Sequence, residues 1–322
     1  MNGDIGFSRE SSDVSMKIAV MAAGGVGGYF GARLAAAGED VHFIARGAHL
    51  AALRANGLSL KSANGDLHLQ PVTATDDPAQ IGPVDIVIFA VKQYDTESAA
   101  RLIAPLIGAD TAAITLQNGM DKDERLRAVL GREHVMEGAA YIGGAGVASP
   151  GVISHVGKVA RIIFGEADGR RSTRGECFLA ACNKASIDAS FSTNIAKELW
   201  AKFALLSAFS GVSSVLRKPM GAIVGDPDTR KLLMDAVVEA IAVAKAKGVD
   251  LGADYLAQQL NFADRVAPET KSSMQMDLEA GRRLELDWMS GAVARIGDEL
   301  DVPTPIHHFI FSALKLYAGG SR

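Results

Sequence analysis

The chain has 322 residues, room for two domains of roughly 150 residues each, both large enough to bury a core without disulfides or structural metals. Apolar residues make up 48% of it and charged residues 22%, which excludes wholesale disorder, while 33 basic against 37 acidic side chains give a formal charge of -4 and argue against nucleic acid as the main partner. Its two cysteines, Cys177 and Cys182, build no disulfide framework and match no thiolate metal site, so the expectation is a reducing, cytoplasmic compartment and no metal.

Residues 1–15 are polar and lack the apolar core of a signal peptide; they read as a loose tail, with Met16 as an alternative start to Met1. The nearest approach to a membrane span, residues 18–32, is short, rich in Gly and Ala and followed at once by Arg33, so no membrane partner is expected. MKIAVMAA at 16–23 predicts a buried strand, and the glycine-rich run after it opens a helix that stops at Gly38. VHFIAR at 41–46 predicts the next strand, residues 47–56 a helix, and GLSLKSANGDLHLQPV two short strands joined at Asn64-Gly65. VDIVIFAVK at 84–92 has the continuous apolar character of a strand covered on both faces. ESAARLIAPLI then predicts a helix, TAAITLQNG a strand and turn, and DKDERLRAVL another helix. This alternation is the signature of a parallel, doubly wound, Rossmann-like sheet. Residues 134–166 predict turn-rich strands, antiparallel at an edge or extension of that sheet.

After residue 185 the spacing becomes helical, over 194–209, 228–247, 254–262, 271–280, 286–299 and 304–317, with breaks at Pro219, Pro227, Gly248, Gly281 and Pro303. The expected organisation is therefore α/β: a nucleotide-binding domain over 16–185 and an all-helical domain over 186–322, with a substrate cleft between them.

The glycine run follows a strand and opens a helix, the context in which backbone N–H groups take a pyrophosphate. Ala23, Gly24, Gly25, Val26 and Gly27 are the candidate cofactor contacts. Aligned on the strand end, the three fingerprint positions fall at Ala22, Gly24 and Gly27; a shifted register uses Gly25, Gly27 and Gly31. The second strand ends in Ala45, Arg46 and Gly47 in place of a ribose-binding acid, and the nearest acids, Glu39 and Asp40, precede it. A guanidinium suits a phosphate dianion, so Arg46 points to NADPH/NADP+ over NAD; the bland alternative is an exposed surface arginine.

Lys92 and Asn118 stand at the carboxyl ends of two central strands, where such folds bind ligands. Lys202 lies in the apolar ELWAKFALLSAF, where a lysine either snorkels to solvent or faces the cleft. Glu285 and Asp287 in RRLELDW read as cleft carboxylates or as surface partners of Arg282 or Arg283. Ser272 and Ser273 read first as helix-start residues and second as ligand donors.

The order and spacing of MKIAVMAAGGVGGYFGARL, VDIVIFAVKQYDT, LQNGMD, NIAKELWAKFA, TKSSMQMDLEAGRRLELDWMSG and VPTPIH resemble the ketopantoate reductases, or 2-dehydropantoate 2-reductases, over essentially residues 16–317. The resemblance implies NADPH-dependent reduction of a small keto-acid substrate, 2-dehydropantoate, to (R)-pantoate in pantothenate biosynthesis, with a homodimer as a candidate assembly. It implies Lys202 as the catalytic lysine and general acid, Glu285 as its acidic partner, Lys92 and Asn118 as cofactor and substrate contacts, and Ser273 on the substrate. Leu206 and Ser210 stand where the family presents asparagines to the substrate, with Ser210 as the remaining polar contact, and His307 where it more often has Asn. The hydride-transfer apparatus thus matches while substrate recognition differs, leaving three alternatives: a reductase of another 2-keto acid or ketone; a 6-phosphogluconate or 3-hydroxy-acid dehydrogenase-like enzyme, disfavoured because it explains the Rossmann start but not LQNG with LELDW; and a catalytically silent NADP-binding regulatory module.

Overall fold

A computed structural model describes residues 15–321. The tail expected over 1–15 therefore lies, except for Ser15, outside the described residues. The first half alternates β1 (Lys17–Met21), α1 (Gly25–Ala36), β2 (Asp40–Ile44), α2 (Gly47–Asn56), β3 (Leu58–Ser62), β4 (Leu67–Leu69), β5 (Thr73–Thr75), β6 (Ile86–Phe89), α3 (Thr96–Leu102), β7 (Ala112–Thr115) and α4 (Lys122–Leu130). There follow β8 (Val135–Ile142), β9 (Ala145–Ser149), β10 (Val152–His155), β11 (Ala160–Gly165), α5 (Thr173–Lys184) and β12 (Asp188–Phe191).

Eight of these strands form one sheet in the order β12-β11-β8-β7-β6-β1-β2-β5. Every pairing in it is parallel except β8 with β11. β6 and β7 are buried at every residue, as continuous apolar strands must be when helices cover both faces. One face packs its core around Ile18, Phe30, Phe43, Ile88 and Phe164, the other around Met21, Val87, Phe89, Ile103 and Leu126.

The turn-rich stretch divides in two. β8 and β11 extend the main sheet antiparallel, as expected, whereas β9 and β10 join β3 and β4 in a separate four-stranded sheet, order β4-β3-β10-β9. The β3–β4 hairpin turns at Gly65, with φ +100°. The domain change also falls later than residue 185: β12 pairs in parallel with β11 from Asp188 to Phe191 and completes the sheet, and α5, which carries the free thiols Cys177 and Cys182, packs beside β12.

The second half is α6 (Ile195–Leu216), α7 (Met220–Gly225), α8 (Pro227–Ala246), α9 (Tyr255–Arg265), α10 (Ser273–Glu279), α11 (Ser290–Glu299) and α12 (Pro305–Leu314). Pro227, expected as a break, is the first residue of α8, where its missing N–H costs nothing, and Asp226 caps that helix through the amides of Asp228 and Thr229. α6 runs to Leu216, seven residues beyond the 209 expected, because its polar Ser207, Ser210, Ser213 and Ser214 are buried inside the bundle. It is also the described helix most like a membrane span, in place of residues 18–32, yet 72% of its most apolar window is buried against the rest of the protein. α8, α10, α11 and α12 pack around it, and its own start packs on β8 and β11.

The glycine run settles into the first of the two registers. A Cβ at Gly27 would lie 2.2 Å from the Ala22 carbonyl oxygen and 2.8 Å from Val20 Cγ1, the helix-on-strand contact of the third fingerprint glycine, while a Cβ at Gly24 would meet nothing within 4 Å. Gly27→Ala is therefore expected to lower unfolding stability by about 1–3 kcal/mol, and Gly24→Ala to change it by under about 0.5 kcal/mol, measured by urea denaturation of both variants.

Candidate active site

The carboxyl ends of β1, β2, β6 and β7 open into a cleft of ≈ 1790 Å³ whose opposite wall is the helical domain. Of the residues singled out from sequence, Ala23, Gly24, Gly25, Val26, Arg46, Lys92, Asn118, Lys202, Leu206, Ser273 and Glu285 line it. Gly27 and Ser210 do not. Gly27 is buried on the face of α1 that packs on β1, and Ser210 is 1% exposed within the bundle, where its carbonyl accepts the Ser214 hydroxyl at 2.6 Å. His307 is likewise remote from the cleft: it is fully buried, its imidazole Nε2 meets the Ala236 carbonyl at 3.0 Å, and burial pushes its pKa down to about 4.

At the dinucleotide end, Gly24 is the extended N-cap of α1, with no side-chain cap and no acid in the helix's first turn. The turn thus offers unobstructed amides and a positive helix end to a diphosphate. Arg46 is exposed at the N-cap of α2, and its side chain has no hydrogen-bond or ion-pair partner among the described residues. Glu39 and Asp40 sit at the far end of β2, where Glu39 accepts from the Met16 amide and Lys184 and Asp40 pairs with His42. The donor set fits a phosphorylated dinucleotide.

The chemical end is assembled from both domains. Gly119, at φ +101°, turns the chain sharply after β7; a Cβ there would lie 2.9 Å from Gln93 Nε2, and that amide donates to the Asn118 carbonyl. Asn118 is thereby fixed with Oδ1 accepting from Lys202 Nζ at 2.8 Å, and the Ala140 carbonyl of β8 accepts a second Lys202 N–H at 2.7 Å. The Tyr141 ring lies 5.6 Å from the same nitrogen. Burial, helped by the positive charge of Lys122 and opposed by Glu285, pulls Lys202 down to a pKa of about 7.

Glu285 does not touch Lys202. Its Oε2 accepts from Lys92 Nζ at 3.1 Å and its Oε1 from the Gln93 amide at 3.0 Å. Lys92 also donates to Asp277 Oδ2 at 3.0 Å, and Asp277 in turn accepts from Arg282 at 2.7 Å. Burial pulls the Lys92 ammonium down, but Glu285 and Asp277 more than offset it and hold its pKa above the ordinary lysine value. The surface pairing weighed for Glu285 with Arg282 or Arg283 is not formed: Arg283 stacks on Tyr94, and Asp287 pairs with Lys315. Ser272 is the N-cap of α10 through the Gln275 amide, and Ser273 is exposed beside it on the cleft wall.

Four participants escape the sequence reading. Asp277 lies one helical turn after Ser273 on α10, and that i, i+4 relation is the signal that could have found it. Gln93 is a buried side chain whose role depends on long-range contacts, and Lys122 is buried against its near neighbours Thr115 and Asp123. His49 ties the glycine turn to the small sheet, its Nδ1 accepting from the Gly151 amide at 3.0 Å and its Nε2–H donating to the Ala23 carbonyl at 2.9 Å.

Residues 18–169 match the family model described as "Ketopantoate reductase PanE/ApbA", and residues 194–318 match its C-terminal counterpart. A 2-dehydropantoate 2-reductase of Mesorhizobium japonicum is 35% identical over 314 residues, spanning 90% of this chain and 94% of that protein. The crystal structure of a 2-dehydropantoate 2-reductase from Geobacter metallireducens superposes with a TM-score of 0.88 at 32% identity, covering 94% of this chain and 99% of that one. A D-mandelate dehydrogenase solved with NADH and anilino(oxo)acetate shares the fold, with a TM-score of 0.84 at 22% identity over 94% of this chain and 98% of its own.

Proposed function

The chain belongs to the ketopantoate reductase family and is an NADP-dependent oxidoreductase, and on that premise we propose that it reduces 2-dehydropantoate to (R)-pantoate with Lys202 as general acid. The observation that carries this reading is the Lys202 amine, inset in the cleft wall, held by two neutral acceptors and titrating near pH 7.

NADPH supplies the hydride when bound. The α1 turn would hold its diphosphate and Arg46 its 2′-phosphate. The remaining work belongs to side chains. Two N–H bonds of Lys202 are committed to Asn118 and Ala140, so the nitrogen is fixed and one N–H is left for the substrate oxygen that gains negative charge. Asn118 thus orients the acid. Ser273, on the helical-domain wall, would bind the substrate carboxylate, while the Lys92 ammonium, held by Asp277 and Glu285, would fix the nicotinamide–substrate geometry together with Asn118.

One observation favours a second reading of the substrate. Leu206, one helical turn past Lys202, lines the cleft together with Leu205 and Phe209 and brings no hydrogen-bonding group to that wall. This is the surface for a less hydroxylated 2-oxo acid.

Lys202→Ala should cut NADPH-dependent turnover by about 100-fold or more while leaving the circular dichroism spectrum native, the loss expected for a general acid. Because an amine can donate only while protonated, kcat for reduction in the parent enzyme should fall as pH rises through about 7. Binding of NADPH with no turnover of any 2-oxo acid would instead indicate the silent NADP-binding module.

Arg46→Ala should weaken NADPH by about tenfold or more and NADH little, since only the former offers the phosphate for a charge-assisted contact. Fluorescence titration of both dinucleotides checks this. Leu206→Asn should raise kcat/KM for ketopantoate about 10- to 100-fold over the parent if an unpaired substrate hydroxyl is the cost there. An efficient parent enzyme that discriminates strongly against the deoxy analogue would place that hydroxyl contact elsewhere in the cleft.

A further inference from the structure

Three lysines stand around the chemical end of the cleft, and carboxylates are divided unequally among them. Lys92 holds two, Asp277 and Glu285. Lys122 holds one: it is the first residue of α4, only 1% exposed, and its Nζ donates to Asp123 Oδ2 at 2.7 Å and to Thr115 Oγ1 at 2.6 Å. The same Asp123 accepts from the Thr115 hydroxyl, so the buried ammonium is pinned by a closed triad. Among the described residues, Lys202 has no carboxylate within ion-pair distance.

Lys122 and Lys202 also share a space. A recess of ≈ 10 Å³, room for about one water molecule, is lined by Gln117, Asn118, Lys122 and Lys202. The Gln117 Oε1 atom is buried with no donor among the described residues. Two amines around one small, weakly hydrated space repel when both are charged, and Lys122 has the counter-ion.

We infer that Lys122 is a positioning residue for the reduction: its fixed, buried cation disfavours a second positive charge on Lys202 and so readies that proton for release to the substrate oxygen. The inference rests on the reading of Lys202 as proton donor. The charged and titratable groups facing Lys202 are Lys122 from α4, Glu285 ahead of α11, the neutral Tyr141 of β8, and Glu198 on its own helix at the same cleft wall. Of these, Glu285 opposes Lys122, but its carboxylate is committed to Lys92 and the Gln93 amide.

The test is the double variant Lys122→Met with Asp123→Asn, which removes both charges of the buried pair and so strands neither. Full-length protein carrying ¹³C-labelled lysine gives the Lys202 titration midpoint directly by NMR, with the signal assigned by its loss in Lys202→Ala. The pH profile of NADPH-dependent ketopantoate reduction gives the kinetic midpoint. Both are expected to rise by about one pH unit in the double variant, a tenfold change in proton concentration. If circular dichroism shows that variant unfolded, Lys122→Gln with Asp123→Asn, which can still hydrogen-bond Thr115 and likewise strands no charge, takes its place with the same expected direction. Midpoints that stay put in a folded variant overturn the inference and leave Lys122 a structural residue. A parent rate profile that does not follow the NMR midpoint of Lys202 overturns the proton-donor reading itself.

Discussion

The Lys92 ammonium, held between Asp277 and Glu285, is the contact on which the geometry of the cleft depends. Lys92 follows β6 in the sheet domain; both carboxylates belong to the helical domain and are about nine-tenths buried. Carboxylates so placed are expensive to leave without a counter-charge, since breaking such a pair typically costs about 3–5 kcal/mol when fully buried and less with a lysine side chain 41% exposed. The domains are therefore joined where the chemistry occurs. The Gln93 amide adds its bond to Glu285, and Arg125, stacked 5.2 Å over Trp288, donates to the Gln93 carbonyl and side-chain oxygens. Gln93 in turn holds the Asn118 carbonyl, and Asn118 holds Lys202. One chain of polar contacts thus runs from the domain junction to Lys202.

The same arrangement explains why one lysine behaves unlike its neighbours. An amine surrounded by carboxylates keeps its proton; an amine given only neutral acceptors in a desolvated wall releases it near neutrality. Glu285, although close enough to influence Lys202 electrostatically, spends its hydrogen-bonding capacity on Lys92 and Gln93. Its influence on Lys202 is therefore indirect, through the placement of the sheet-domain residues that face it.

The elements most legible in the sequence are those whose pattern is local. β6 declares itself by an unbroken apolar run, α2 runs over the expected 47–56, and the stop of α1 is a glycine at φ +90°. Of the small sheet only the β3–β4 hairpin was legible, because β10 pairs with β3 across more than ninety residues and neither strand carries a signal naming its partner. β12 was missed for a related reason: DASF is short and half-exposed, and only pairing with β11 makes it a strand. In the site, residues at strand ends and in strong local motifs reached the cleft. Ser210 did not, because two turns past Lys202 its residue lies inside the bundle, and Asp277 and Gln93 owe their importance to contacts with residues far away in sequence.

The small sheet leans directly on the glycine turn. A Cβ at Gly25 would lie 2.5 Å from the Ala145 carbonyl oxygen of β9, and His49 clasps Ala23 to Gly151. The second glycine of the GG pair at 24–25 is therefore required by the protein's own backbone, and the first is the one left clear for a ligand. This has a consequence for biosynthesis. During translation the turn is made more than a hundred residues before the strand that braces it, so the nascent chain cannot complete its nucleotide-binding end until β9 and β10 have emerged. Until then, the face of α1 that this small sheet covers remains uncovered.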